Sequence, residues 1–238
     1  MVCNSGVRVT PTIDGSVHTF EEQGLYDGLF LMLDLETRTY WDHLTGDALY
    51  GPLVGTTLPI ANLRQTTVEQ VLAEDPDALV ALSDRTLRRD DDLRYDGLMA
   101  RVRGRLSRLF QGTVADEDTR RPQMDLGMGI WAGDESRYYP METIQRNGRF
   151  VLDTFQGRRV LVFLEPVSVS LNAVYVDAER AEWDGRTLRL SNGMYVENGV
   201  FHDAAGARVR MERPMQVYTR WYGFSQTFRD PVIYGEGG

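Results

Sequence analysis

The chain has 238 residues, 42 % of them hydrophobic, which is enough to bury a core of its own. All 26 basic residues are arginine, and 35 carboxylates outnumber them to leave a net charge of −9. An acidic surface disfavours nucleic-acid partners and anionic membranes, because such partners are bound largely through basic groups.

Cysteine, histidine and apolar content narrow the functional classes further. The single cysteine, Cys3, excludes an internal disulfide and any multi-cysteine metal site within one chain. Three histidines leave little material for a histidine-rich site. No apolar run approaches the roughly 18 residues that a membrane span needs. No signal peptide is visible, which predicts a cytoplasmic protein unless an export signal lies upstream of this sequence.

Short strands joined by tight turns are predicted for residues 7–60. In W-D-H-L-T-G-D-A-L-Y-G-P-L-V-G, from Trp41 to Gly55, glycines recur among apolar residues, and glycine adopts turn conformations that strain other residues. A helix is predicted over 66–75, where Thr66 and Glu69 form a capping box and Pro76 follows the end.

Residues 84–123 differ from the rest of the chain. A run of arginines and aspartates precedes apolar residues at helical spacing, which predicts a connector helix and then a linker. From Met124 the pattern returns to strands, and a last helix is predicted near 219–228. Predicted turns lie at Gln156-Gly157, Asp184-Gly185 and Asn198-Gly199.

The same series of glycine-containing turns occurs twice in the chain. Asp14-Gly15, Gly24-Leu25-Tyr26 and Gly28-Leu29-Phe30 match Asp184-Gly185, Gly193-Met194-Tyr195 and Gly199-Val200-Phe201 at near-equal spacing. We therefore predict an α+β, β-rich fold of two related units of short antiparallel strands. The units span 1–83 and 124–238, with a helical connector over 84–123. The first unit is expected to be incomplete at its N-terminus, because it lacks counterparts of the strands over 130–160.

Several segments together resemble one family. They are Cys3-Asn4-Ser5-Gly6-Val7, Gly24-Leu25-Tyr26, Trp41 to Gly46, Gly51 to Gly55, Tyr139-Pro140-Met141 and Arg220-Trp221-Tyr222-Gly223-Phe224. This set resembles the domain-of-unknown-function family 3179 (DUF family 3179). The resemblance implies a bacterial or archaeal protein, often exported or envelope-associated, without an established activity. Members commonly carry C-P-x-C-[GN]-[TS] at the position of Cys3, whereas here Met1 and Val2 replace the first cysteine and its neighbour.

Two segments offer reactive groups. Cys3, followed by Asn4, is a candidate thiol, although a thiolate needs a nearby cation or helix N-terminus, and the alternative is an inert residue near a terminus. Trp41, Asp42 and His43 place an imidazole beside a carboxylate, which suits metal binding or proton transfer. The alternative for His43 is a hydrogen-bonded residue in a turn.

A third segment contains residues that could line a ligand pocket. Arg220 and Trp221 are candidates to line an aromatic site with an arginine for an anion. At helical spacing, however, Trp221 and Phe224 also fit simple core packing.

These observations predict a soluble module that holds a small-molecule ligand or a metal between its two units, or a redox-type module. Cys3 and His43 are the candidate catalytic residues, and Asn4, Trp41, Asp42, Arg220 and Trp221 are the candidate ligand contacts. The sequence indicates no particular cofactor, and a homo-oligomer stays open. The alternatives are a thiol-dependent enzyme with Cys3 as nucleophile and a histidine base, or a structural or interaction module.

Overall fold

A computed structural model describes residues 6–81, 112–114 and 116–236. It confirms an α+β, β-rich chain with several small antiparallel sheets and three short helices in this part. The predicted connector helix lies outside the described residues. Its described end, residues 112–114 and 116–123, contains turns and bends but no helix or strand.

The N-terminal part is a set of short strands closed by one helix. Strands β4 to β7 form an antiparallel meander, β2 and β3 form a hairpin, and β1 pairs with β8. The elements are β1 (Val7–Val9), β2 (Thr12–Ile13), β3 (Ser16–Val17), β4 (Phe20–Tyr26), β5 (Leu29–Asp34), β6 (Tyr40–Asp42), β7 (Ala48–Tyr50), β8 (Ile60–Asn62) and α1 (Val68–Glu74).

The C-terminal part contains three further sheets. Their strand orders are β18-β9-β10-β19, β11-β12-β13 and β14-β15-β16-β17, and the pair β10-β19 is parallel. The elements are β9 (Leu126–Ala132), β10 (Glu135–Pro140), α2 (Met141–Arg146), β11 (Phe150–Phe155), β12 (Arg158–Leu164), β13 (Leu171–Tyr175), β14 (Ala181–Asp184), β15 (Thr187–Leu190), β16 (Tyr195–Glu197), β17 (Val200–His202), β18 (Met215–Arg220), α3 (Trp221–Thr227) and β19 (Val232–Ile233).

Glycine-containing turns set the strand pairings. In the hairpins at Gln156-Gly157 and Asn198-Gly199, both central residues have positive φ, at 52° and 70° and at 50° and 77°. Such two-residue turns match the right-handed twist of the strands that they join. The turn residues predicted from the sequence therefore fix the register of β11 with β12 and of β16 with β17.

Strand β12 is buried on both faces. Val160, Val162 and Leu164 pack into one apolar cluster with β9, β11, β13 and α2, while Leu161 and Phe163 pack into a second cluster against β14 to β17. A strand with two buried faces needs apolar residues at every position, which explains the unbroken run V-L-V-F-L.

One apolar cluster joins the N-terminal and C-terminal parts. Leu44, with Val7 and Ile60 beside it, packs with Trp221 and Phe224 of α3 and other aromatic residues of the C-terminal part. The two-unit division stays a prediction, but the two parts share this core and are tied by strand β8, as described next.

Candidate functional site: an arginine-lined cleft

A cleft of about 690 Å³ lies where the N-terminal part meets the segment between β17 and β18. One wall is formed by β1, β8 and α1, and the other by residues 209–213 and Phe201. Four arginines and two glutamates supply its charges: Arg8, Arg64, Arg210, Arg213, Glu74 and Glu212.

Asn62 joins the two walls of the cleft. Its Nδ2 donates to the carbonyl of Pro214 at 2.8 Å, and its Oδ1 accepts from the backbone N–H of Gln216 at 2.8 Å. The Gln216 side chain in turn bonds the backbone of Ala173 on β13, at 2.9 Å through Oε1 and 2.8 Å through Nε2. Buried polar groups arranged in this way hold the arginines of both walls in a fixed relation.

The charges around the cleft are unevenly paired. Arg64 binds both oxygens of Glu74, and Arg158 beside the cleft binds both oxygens of Glu212 at 2.6 and 2.7 Å. Within the part of the chain that the structure describes, Arg8, Arg210 and Arg213 have no carboxylate at ion-pair distance. Of the four lining arginines, only Arg64 therefore has a carboxylate partner at this distance within the described residues, and the cleft is locally positive in a protein of net negative charge.

Arg213 is the least balanced of these cations. Its Nη1 contacts the side-chain oxygen of Asn172 and the carbonyl of Ala173, both at 3.4 Å, which is long for a hydrogen bond. Burial lowers the pKa of its guanidinium to about 10, with a further lowering by the nearby charge of Arg64. Arg213 still carries its charge at neutral pH, so a partly buried cation faces the cleft, offset in part by the charge of Glu74 but with no carboxylate at ion-pair distance among the described residues.

The Trp41-Asp42-His43 segment, predicted as a site, occupies the inside of the N-terminal part. Trp41 is fully buried in an apolar cluster. Oδ1 of Asp42 accepts from the backbone N–H groups of Leu44 and Thr45 at 2.6 and 2.9 Å, which closes the turn after β6. The ring of His43 is buried at 4.2 Å from that of Phe30.

Arg220 and Trp221 lie at the junction of β18 and α3. Trp221 is fully buried and its Nε1 donates to the carbonyl of Asp118 at 2.8 Å, while Arg220 donates to the carbonyl of Met124 at 2.7 Å. Neither residue lines the arginine-lined cleft. Cys3 and Asn4 lie outside the described residues, so their predicted roles stay predictions.

Comparison with known proteins identifies the family. A protein-family model described as "Protein of unknown function (DUF3179)" matches residues 1–222 of the chain. The chain belongs to this family. The matched region contains every residue of the arginine-lined cleft. No curated protein and no solved structure matches the chain.

The resemblance predicted from the sequence segments is thus confirmed, and membership of DUF3179 brings no established activity. No helix among the described residues is long and apolar enough to cross a membrane.

A cluster of potential metal ligands in this DUF3179 member contains His18, Asp34 and Glu36, whose ligand atoms lie within 4.8 Å of one another. Asp34 already accepts four hydrogen bonds. Its Oδ1 accepts from the backbone N–H groups of Glu36 and Thr37, and its Oδ2 from the Thr37 hydroxyl and His18 Nδ1. A carboxylate saturated in this way holds the turn between β5 and β6, and we assign it that structural role.

Sequence reasoning missed the cleft because its residues are far apart in the chain. Arg8 and Arg64 are each separated from Arg213 by more than half of the sequence. The nearest local signal is the segment A-R-V-R-M-E-R, from Ala207 to Arg213, where arginines alternate with other residues. In an extended segment, alternate side chains share one face, so this pattern places Arg208 and Arg210 together but predicts neither Arg213 beside them nor the wall that faces them.

Proposed function

We propose that this protein binds a small anion in the arginine-lined cleft. The observation that carries the proposal is Arg213, a partly buried guanidinium beside Arg64 with no carboxylate at ion-pair distance among the described residues. A partly buried charge without a counter-charge is unfavourable in the free protein, and a bound anion supplies the missing partner.

The chemistry of the cleft suits carboxylate, sulfate or phosphate groups. A guanidinium presents a planar fork of N–H donors that matches two oxygens of such an anion, and it stays charged. Hydrogen bonds between ionised groups are roughly twice as strong as neutral ones. Because the cleft removes part of the water around Arg213, the attraction to an anion there exceeds that at an exposed arginine.

Calorimetric titration of the whole chain with sulfate, benzoate and phthalate tests the proposal. We expect saturable binding of at least one of these anions, weakened about tenfold or more by Arg213→Met, as for the loss of one charge-assisted contact. Arg146→Met removes the same charge from an exposed side chain of α2 and should leave the affinity unchanged. Absence of binding by these three anions and by phenyl phosphate, or equal binding by wild type and Arg213→Met, contradicts the proposal.

The stability of the Arg213→Met variant separates a binding role from a structural one. Since the substitution removes an unbalanced, partly buried charge, we expect a melting temperature equal to or above that of wild type without ligand. A clear fall in the melting temperature, together with lost binding, would instead mean that Arg213 supports the fold. Arg213→Lys keeps the charge without the fork, and we expect it to bind with intermediate affinity.

The thiol-enzyme hypothesis stays a separate prediction. Its nucleophile, Cys3, lies outside the described residues, and its candidate base, His43, is buried against Phe30. Rapid stoichiometric labelling of Cys3 by iodoacetamide near neutral pH would favour it, whereas a slow reaction would count against it. A structural or interaction module remains the prediction to return to if the cleft binds no anion.

A further inference from the structure

We infer that the anion is an organic dianion, which is a small molecule with two negatively charged groups on an apolar body. This inference rests on the proposed function and concerns the same cleft. It is carried by three features of the cleft: its size, its net positive charge and the apolar residues in its lining.

The size of the cleft indicates an organic ligand. Its volume of about 690 Å³ lies within the roughly 300–1,000 Å³ typical of pockets for small organic molecules. A single inorganic ion would contact one or two of the arginines and leave most of this space to water. A ligand that uses the whole cleft therefore has a body of several atoms in addition to its charged groups.

The charge of the cleft indicates two anionic groups. Four lining arginines and two lining glutamates give the lining a net formal charge of +2. The arginines without a carboxylate partner among the described residues also differ in depth, since Arg213 is partly buried whereas Arg8 and Arg210 are exposed. One anionic group would bind at Arg213, and a second would reach the exposed arginines nearer the rim.

Apolar side chains are also part of the cleft lining. Leu63, Val209, Met211 and Phe201 line the same cleft as the arginines. The side chain of Leu63 remains 53 % exposed although it lies beside this cleft, so it has apolar surface to offer a ligand. Burying such surface against a hydrocarbon body contributes about 25 cal/mol per Å², which an inorganic anion cannot gain.

Comparison of four probes tests the inference. Phthalate and phenyl phosphate are dianions with an apolar ring, benzoate has the ring with one charge, and sulfate has two charges without the ring. We expect phthalate, phenyl phosphate or both to bind about tenfold or more tightly than benzoate and sulfate, which corresponds to one additional good contact. Tight binding of phthalate alone would identify the ligand as a dicarboxylate. Tight binding of phenyl phosphate alone would identify it as a phosphate ester.

Two variants assign the second charge and the apolar contact. Arg210→Gln should reduce the preference for phthalate over benzoate, because the outer anionic group loses its partner. Leu63→Ala should weaken phthalate several-fold and leave sulfate unchanged. The matched control is Leu79→Ala, since Leu79 is 99 % exposed and lies outside the cleft.

The outcomes distinguish this inference from the proposed function. If benzoate or sulfate binds as tightly as both ring-bearing dianions, and Arg213→Met abolishes that binding, the proposed function stands and the dianion inference is wrong. If none of the four probes binds, both are wrong.

Discussion

The carboxyl group of Asp34 holds one turn of the N-terminal part through its charge. Burial raises the pKa of this carboxyl, but hydrogen bonds from Thr37, His18 and Glu36 outweigh that effect and lower the pKa to about 2. The unfolded value is about 3.9, so the folded protein favours the ionised form. The charge therefore stabilises the fold above the unfolded pKa, and this contribution is lost as the pH falls through the folded pKa.

Asp34→Asn is expected to lower the free energy of unfolding near neutral pH by about 1–3 kcal/mol, because charged acceptors are lost from a buried network. The difference from wild type should shrink as the pH is lowered from about 5 to about 2, where the wild-type carboxyl becomes protonated. Urea unfolding at several pH values measures this difference in the free energy of unfolding. Asp14→Asn, at an exposed turn with positive φ that asparagine also tolerates, is the control. A difference for Asp34→Asn that is constant with pH would contradict this role.

Among the elements, β9 carries glycine where α3 packs closest to the sheet. A Cβ atom on Gly129 would lie 2.1 Å from the Phe224 ring, and one on Gly127 would lie 2.5 Å from the Tyr138 ring. Real carbon atoms do not approach so closely, so these glycines let the aromatic rings lie against the strand. Gly129 thus leaves room on β9 for Phe224 of α3, and Gly127 leaves room for Tyr138 of the neighbouring strand β10.

Gly129→Ala is expected to destabilise the protein by about 1–3 kcal/mol, the usual cost of overpacking a core. The double variant Gly129→Ala with Phe224→Leu should lose less than the sum of the two single variants, because the smaller side chain makes room for the methyl group. Thermal and urea unfolding of all four proteins completes this cycle. Strict additivity would mean that the glycine serves the strand itself rather than the contact with Phe224.

The elements differ in how far the sequence predicts them. The helix predicted over 66–75 exists as α1, but its capping box uses Thr67 and Gln70 rather than Thr66 and Glu69. The helix predicted near 219–228 begins only at Trp221, because Thr219 and Arg220 continue β18 alongside β9. Local turn and capping residues thus predict which elements form. Their ends depend on pairing with strands far away in the chain, which no local pattern encodes.

The same limit applies to the cleft. The arginine-rich segment A-R-V-R-M-E-R is visible in the sequence, but Arg8 and Arg64 are brought beside it by contacts between distant parts of the chain, including the pairing of β1 with β8 and the bonds of Asn62. Conversely, the predicted contacts Trp41 and Trp221 are conspicuous in the sequence because they are large, and large aromatic residues are also what a core uses most. A single sequence does not separate these two uses.

For the whole molecule, the N-terminal and C-terminal parts are expected to unfold together. The cluster around Leu44, Trp221 and Phe224 is shared between the two parts, so each part loses some of its apolar packing without the other. Far-UV circular dichroism and tryptophan fluorescence should therefore give coincident urea transitions. Two separated transitions would show that the two parts fold independently.

Asn62 should couple this stability to anion binding. Asn62→Ala removes both bonds that tie β8 to β18, and we expect it to lower the free energy of unfolding by about 1–3 kcal/mol and to weaken binding of phthalate. Asn192→Ala, which removes a 2.8 Å bond to the Asp177 carbonyl within the C-terminal part, is the control and should leave binding unchanged. Reduced stability with unaltered affinity in Asn62→Ala would mean that the arginines of the two walls are positioned independently of this tie. Loss of both together would show that Asn62 helps to hold the two walls of the cleft in place.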